Sequence, residues 1–338
     1  MRRAEILITI KDKDVTADLE PFLLSLEYTD KSDDELDDLQ IVLEDREHLF
    51  QGDWLPKPGD KIEANIYTFS WHSFGDSGCV ECGDFEVDEV EFETSVDSGD
   101  RITIKAVPAV VKSSLMAQKK TRAWAEVSLA EVISDIAGEA GLDTLYKAPE
   151  IIYERIEQRN QDDLAFMQET CKDQGLRLAL KKGQVIVYMG QTADQTEPLE
   201  FTRETADIQN IRFRKKMEGI YTECRVSYND PKDSEEIDSQ FQPEEPPSTG
   251  KVLTINKRVE HPAQAERLAR AELRDKNSQE ITGSFSGMGD TRYVAGTILE
   301  LKGWGKFDNK YVIKEAKHSF SFDAGYTSDV ELELALEY

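Results

Sequence analysis

No apolar run in the 338 residues exceeds about six, the longest lying at 106–111, whereas a helix needs roughly 20 to cross a bilayer. A membrane-spanning helix is therefore not expected. Cysteine is scarce: Cys79, Cys82, Cys171 and Cys224 are too few for a disulfide framework and agree with a reducing compartment. Histidine is equally rare, and His48, His72, His261 and His318 fall in no His-Glu-x-x-His or Ser-His-Asp-like context, which argues against metallohydrolase and triad chemistry. Bases are outnumbered, with 41 Lys and Arg against 68 Asp and Glu and a net charge of −27. Affinity for a phosphate backbone comes mainly from clustered cations that displace counterions, so tight nucleic-acid binding is not expected. The deficit is uneven: residues 1–100 hold 28 acids against 8 bases, and residues 101–338 hold 40 against 33. Arg2 and Arg3 imitate the start of a signal peptide, but Lys11-Asp12 cuts off the apolar stretch Ile6–Ile10, which reads instead as a first strand. The chain is expected to be made in a cytoplasm.

What is present is β periodicity at both ends. A chain of 338 residues exceeds the roughly 100–200 of one domain, so two or three domains and a sizeable core are expected. Ile6, Ile8 and Ile10 share one face of a strand, as do Ile62, Ala64 and Ile66 and again Ile102, Ile104 and Ala106. Half-buried strands of this kind close into barrels or sandwiches. The apolar phase slips at Asp88-Glu89, between Phe85-x-Val87 and Val90-x-Phe92, which predicts a bulge or tight bend. After Val111 the period becomes 3.6. Leu129, Val132, Ile133, Ile136, Ala137 and Ala140 line one helix face behind a Ser128 cap, with Glu131 three residues on and Gly141 at the end. A second helix starts at Asp162-Asp163, carries Leu164, Met167 and Cys171 on one face and stops at Gly175, with strands following at 176–180 and 185–188. From Leu199 the alternation returns. It is interrupted at 230–250, where seven acids and four prolines predict a mobile loop. Pro262 opens a helix over 262–276 with Ala265, Leu268, Ala269 and Leu273 inward, and Val330, Leu332, Leu334 and Leu336 then alternate with glutamates in a half-buried last strand. The expected class is mainly β with an α+β insert: a β domain at 1–111, a mixed α/β domain at 112–198 and a second β domain at 199–338. No internal sequence repeat relates the two β blocks.

Candidate chemistry is sparse. Cys79-x-x-Cys82 has the spacing of half a zinc site, and His72 could add a third ligand, but zinc takes four and no second pair exists. A loop with free thiols is the expected state. Gly303-Trp304-Gly305-Lys306 lacks the further glycine and following helix of a phosphate cradle and reads as a hairpin turn. Glu27–Glu47 carries ten acids and two bases without the glycine and terminal glutamate of a calcium loop. It reads as a solvated loop between strands, or as acids facing a channel or a basic partner. With 68 acids, a pair of carboxylates for glycan hydrolysis can be drawn anywhere and carries almost no information.

Several segments, taken in order, resemble the late control gene D proteins of contractile-tailed bacteriophages. They are Cys82-Gly-Asp-Phe-Glu-Val-Asp-Glu-Val-Glu-Phe, Arg122-x-Trp124 running into Ser128-Leu-x-Glu-Val-Ile, and Gln158-Arg-Asn-Gln-Asp-Asp-Leu-Ala-Phe-Met-Gln. Further on come His261-Pro-Ala-Gln-Ala-Glu-Arg-Leu-Ala, Gly283, Ala295-Gly296, Leu301-x-Gly303, Tyr311-x-Ile313, His318 and Gly325-Tyr326-Thr327. The resemblance implies two tube-like β-barrel domains per chain and a homotrimer whose six barrels meet a hexameric tail tube. It implies a baseplate hub that joins the tail tube protein to the central spike protein and other baseplate proteins, with the tape measure protein as a further neighbour. The expected location is the virion tail baseplate, assembled in the host cytoplasm, with genome DNA passing through an axial channel and no membrane partner. An acidic lumen would not hold passing phosphates. Trp124, Asp163, Phe166, His261, Gly283, Gly296, Gly303, Tyr311, His318, Gly325 and Tyr326 are the matched positions, all expected to be structural, with neither catalytic residue nor cofactor. The glycines are expected at turns or close backbone approaches. Lysozyme-like or spike domains fused in some relatives are expected on separate proteins here. A tailocin or secretion-type particle is the alternative of the same architecture, and a cell-wall glycan hydrolase the alternative of another class.

Overall fold

The computed structural model describes residues 2–32, 35–97, 99–109, 114–181, 183–191, 197–204, 207–229, 236–248, 250–259 and 261–338. Most strands belong to a single 13-stranded sheet built from both ends of the chain. The N-terminal unit contributes, in chain order, Arg3–Ile10, Leu23–Lys31, Asp38–Glu44, Lys61–Phe69, Ser77–Ser95 and Gly99–Pro108, with the short Lys13–Asp14 at its margin. The C-terminal unit contributes Leu199–Thr202, Ile208–Lys215, Ile281–Met288, Ile298–Lys302, Lys310–Ser321 and Gly325–Leu334.

The two units share one strand order. In each, the first strand pairs the fourth, the fourth the fifth, the fifth the sixth, the sixth the third and the third the second. They differ at the first pairing, which is antiparallel in the N-terminal unit and parallel in the C-terminal one. The agreement extends to single residues. Each fifth strand carries one extra residue, Asp88 after Val87 and Lys314 after Ile313, where the register against the sixth strand slips. The slip at Asp88 is the one its apolar phase predicts. Just before each fourth strand a glycine with positive φ, Gly59 at 91° and Gly296 at 86°, turns the chain inward. The Gly59 amide donates to the Val87 carbonyl and the Gly296 amide to the Ile313 carbonyl, both at 2.8 Å. In return, the Val87 amide donates to Asp60 and the Ile313 amide to Thr297, both at 2.9 Å. A left-handed backbone at these positions is accessible to glycine at no steric cost.

Each unit wraps its own core. Ile8, Leu26, Ile41, Ile62, Ile66, Phe85, Ile102 and Ile104 fill the first, so the three alternating triads face inward as expected. Phe285, Leu299, Leu301, Tyr311, Ile313, Val330 and Leu332 fill the other. Between them in sequence lies the mixed unit, where Ser128 caps the helix Leu129–Glu139 through a reciprocal capping box with Glu131. Its second helix, Asp163–Asp173, is capped by Asp162, and both helices lie against strands Asp143–Lys147, Arg177–Lys181 and Gln184–Tyr188 over a shared core.

Several expectations need correction. Within the stretch 230–250 expected as a loop, Glu236–Phe241 is a strand, paired with Glu223–Asn229, which also pairs with Val252–Asn256. Residues 230–235 and 249 lie outside the described residues. This sheet packs on the helix Pro262–Asn277, and Cys224, Val226, Val259, Ala265, Leu268, Ala269 and Leu273 form a fourth core. Phe241, at the end of the strand Glu236–Phe241, packs against the fourth core, and the pairing of the strand is a long-range feature that composition alone could not reveal. Glu27–Glu47 is mostly two paired strands, and its Asp30 and Asp45 are buried. Cys79 and Cys82 sit in a strand instead of a loop, with Cys82 extra in the register against Lys61–Phe69. Glu333 departs from the outward alternation of the last strand: it is buried, accepting from Gln191, Ser278 and Gln279.

No atom lies within 4 Å of a Cβ built on Gly296, so Gly296→Ala tests backbone conformation alone. It is expected to cost about 1–2 kcal/mol, read as a lower urea midpoint at unchanged slope.

Candidate functional site: the join between the two β units

The units are welded through a strand that serves both. Lys310–Ser321 pairs its own fourth strand, Ile298–Lys302, only as far as Val312. Beyond the extra residue Lys314, the same edge turns to Leu23–Lys31 of the N-terminal unit, from Glu315 opposite Lys31 to Phe320 opposite Leu26. An antiparallel ladder sets side chains of facing residues on the same side, so His318 meets Tyr28. Their rings stack at 6.1 Å and 16°, and Tyr326 stacks on His318 at 5.9 Å.

His318 is 1% exposed. Its Nε2–H donates to the Tyr293 carbonyl at 2.9 Å, which leaves Nδ1 to accept from the Tyr326 hydroxyl at 2.6 Å. Burial holds the imidazole below its ordinary pKa, so the neutral ring is favoured. Trp71 closes the cluster from the N-terminal side, its indole N–H donating to the Gly289 carbonyl at 2.6 Å. A Cβ on Gly289 would stand 2.5 Å from the Tyr326 ring, so that backbone approach requires glycine.

Beside the aromatic cluster lies a charge trio, with Asp30 buried and Asp37 and Lys181 partly so. The Lys181 ammonium, from the mixed unit, donates to Asp30 and, at 2.6 Å, to Asp37. Asp30 also accepts the Ala295 amide of the C-terminal unit at 2.7 Å. Asp37 accepts the Lys31 amide at 2.9 Å and the Tyr28 hydroxyl at 3.1 Å. Burial alone would lower the Lys181 pKa, but the two carboxylates more than offset it and raise it. Burial and then the neighbouring Asp30 push the Asp37 carboxyl above its usual range, against the pull of Lys181. Three units thus meet at one ammonium.

The matched positions of the mixed unit form a second cluster. Arg122 and Lys120, from the strand Lys120–Ser128, reach Asp163 at 2.8 and 2.6 Å, and Gln158 donates to the same carboxylate at 2.8 Å. Arg122 also holds Glu139 at 2.7 Å, lowering that carboxyl's pKa, and lies 4.9 Å over the Trp124 ring. Trp124 stacks on Phe166 at 5.7 Å. Arg122-x-Trp124 and the Gln158–Phe166 segment therefore converge, tying the two-stranded ribbon Lys120–Ser128/Ile152–Gln161 to the helix Asp163–Asp173.

The remaining positions are dispersed. His261 is exposed at the N-cap of Pro262–Asn277 and makes no side-chain cap. Tyr311 is fully buried, donating its hydroxyl to the Phe307 carbonyl at 2.8 Å. Gly283 passes beneath Phe213, whose ring would lie 3.1 Å from a Cβ. Gly303 and Gly325 turn hairpins with positive φ. Cys82 is buried in the N-terminal core, where desolvation raises its thiol pKa, and His72 faces Asp290 at 3.4 Å. Among the described residues no cluster of three His, Cys, Asp or Glu side chains is arranged to hold a metal. Sequence reasoning missed Asp30, Asp37 and Lys181. The available signal was Asp30 itself, an acid at the inward phase of Leu26-x-Tyr28-x-Asp30.

No family profile matches the chain. In sequence, 235 residues, 68% of the chain, are 24% identical to the probable baseplate hub protein of Escherichia phage P2, and the match spans 57% of that relative's length. In structure, 97% of the chain superposes on 98% of the 43 kDa tail protein of prophage MuSo2 from Shewanella oneidensis, with a TM-score of 0.71 at 13% identity. A component of the E. coli type VI secretion system, the c3393 protein, which is structurally similar to the T4 bacteriophage tail proteins gp27 and gp5, matches 98% of the chain over 77% of its own length, with a TM-score of 0.57 at 12% identity. The fold is that of phage tail proteins, mostly β with a few helices. Within that class, the sequence match and the neighbours bear out the resemblance to the baseplate hub family.

Removing one partner of a fully buried ion pair leaves the other charge uncompensated, at a cost of about 3–5 kcal/mol, and the loss is smaller here because the Lys181 side chain keeps 24% of its surface exposed. Lys181→Met is expected to lower the urea midpoint accordingly, and the triple variant with Asp30→Asn and Asp37→Asn to recover most of the loss. For His318 the folded pKa lies below the unfolded value of 6.5, so the unfolded chain takes up the proton first. The stability it contributes is fully present above about 6.5 and is lost as pH falls below it. Melting followed from pH 8 to pH 5 should show this loss, and His318→Gln should flatten it.

Proposed function

We propose that the chain is a structural hub of a phage tail baseplate and not an enzyme. The observation that carries this reading is the pair of β units of one strand order, fused edge to edge in a single chain. Three such chains present six similar units, the number a hexameric tail tube offers, while the chains themselves keep the threefold order of a central spike. Symmetric closure of identical chains is the usual outcome when a contact is repeated by rotation. The sequence match to a probable baseplate hub protein supports the assignment. In this reading the chain is a homotrimer in the virion tail, contacts the tail tube protein, the spike protein, other baseplate proteins and the tape measure protein, and surrounds a channel through which DNA passes without specific binding. The domains are tube-like units at 1–111 and 199–338 with the mixed unit at 112–198, the C-terminal one carrying the inserted sheet and helix.

A structural role also agrees with how the charged side chains are used. In the Lys181 trio and the Asp163 cluster, buried charges are spent on hydrogen bonds that tie elements together. The likeness to a type VI secretion component favours one second reading, a hub of the same geometry in a secretion-type particle.

Light scattering over a concentration series, alone and with the cognate spike protein, tests the proposal. A mass of three chains, stabilised by the spike, is expected. A mass of one chain under every condition overturns it.

A further inference from the structure

The join within the chain has a counterpart that the chain does not fill. Past its extra residue Lys314, the fifth strand of the C-terminal unit offers its edge to Leu23–Lys31, the second strand of the N-terminal unit. Past its own extra residue Asp88, the fifth strand of the N-terminal unit continues through Glu89–Ser95 with the sixth strand on one side only, because its pairing with Lys61–Phe69 stops at Glu86. The second strand of the C-terminal unit, Ile208–Lys215, likewise pairs on one side, with Ile281–Met288. Among the described residues, two equivalent strands are joined while the other two present open edges. An open edge is a template for a further strand.

We infer that strand Glu89–Ser95 of one copy pairs with strand Ile208–Lys215 of the next, repeating between chains the join seen within the chain. This rests on the trimeric reading above and specifies its contact. The internal join also fixes the register. Val90 pairs Ile104, Ile104 pairs Ile41 and Ile41 pairs Leu26, while Ala316 pairs Val330, Val330 pairs Phe285 and Phe285 pairs Ile211. Ile211 is therefore the counterpart of Leu26, and Thr94 that of Phe320, which faces Leu26. Transferred to the open edges, this register sets Glu93 opposite Arg212, Phe92 opposite Phe213 and Glu91 opposite Arg214. Glu89 then falls opposite Lys216.

Nothing in the transfer uses charge, yet every acid in it meets a base. In a chain of net charge −27, Arg212 and Arg214 are exposed and, among the described residues, have no carboxylate within 4 Å. Glu89 and Glu91 share the single exposed Lys105, at 3.2 and 3.4 Å, an arrangement worth little in water. On the other face, Phe92 is 45% exposed and would cover Phe213, the position where the internal join stacks His318 on Tyr28. Facing opposite charges and aromatic pairs are the contacts that stabilise paired strands. The contact uses two different edges, so it is heterologous, the kind that closes into a ring when its rotation divides a full turn.

The test combines charge exchange with cross-linking on the full chain. Arg212→Glu with Arg214→Glu is expected to raise the concentration needed for trimerisation at least tenfold, as is Glu91→Arg with Glu93→Arg, and the quadruple variant is expected to restore it. Independently, Glu91→Cys with Arg214→Cys places cysteines opposite each other across the contact, at a separation a disulfide spans. Oxidation is expected to give covalent dimers and trimers on a non-reducing gel, absent from either single variant. A trimer that tolerates both charge reversals and gives no such ladder overturns the pairing and leaves the hub reading standing. A wild-type chain that stays monomeric with its spike protein overturns both.

Discussion

One ammonium holds the three large units to a common point. Lys181 leaves the mixed unit to lie between Asp30 and Asp37 of the N-terminal unit, and Asp30 takes a backbone amide of the C-terminal unit at the same time. Such an arrangement stabilises only when complete, because charge withdrawn from water repays its desolvation through geometry and through every remaining hydrogen bond. Here every oxygen of the two carboxylates has a donor. The ladder between Leu23–Lys31 and Lys310–Ser321 aligns the β units, and the trio sets the mixed unit against that ladder.

The weld depends in turn on one inserted residue in each fifth strand. A bulge bends a strand and changes which neighbour its edge can reach. Lys310–Ser321 therefore pairs within its unit before Lys314 and across units after it. The glycines before the fourth strands fasten the bend, since each donates its amide to the carbonyl of the residue just ahead of the bulge, and the residue after each glycine accepts that same residue's amide in return. These bonds are between main-chain groups, so side chains around them can diverge while the geometry stays. That explains how two units with the same strand order carry no visible sequence repeat.

What periodicity could reveal, it revealed: the inward isoleucines, the slip at Asp88, the helix behind Ser128 and the helix from Pro262 are all local patterns with a period. The sheet under the helix from Pro262 was hidden because Glu236–Phe241 lies in an acid- and proline-rich stretch, and its pairing with Glu223–Asn229 is not a local pattern. The charge trio was hidden for a different reason. Asp37 and Lys181 are 144 residues apart, and no rule of spacing joins a surface-looking lysine to an acid-rich segment. Of the matched positions, Trp124, Asp163 and Phe166 converge with Arg122, and His318 with Tyr326. His261 stands apart.

The strand Lys310–Ser321 also gives the molecule a mechanical direction. It runs without interruption from the core of one β unit into the edge of the other, and its cross-unit bonds lie perpendicular to it. Tension along the strand loads the rungs of that ladder together, in shear. Tension across it would peel them one at a time, beginning at Glu315 or at Phe320. The seam is therefore stiff along the strand and weak across it, and forces passing between the two β units are borne best when they follow the strand axis.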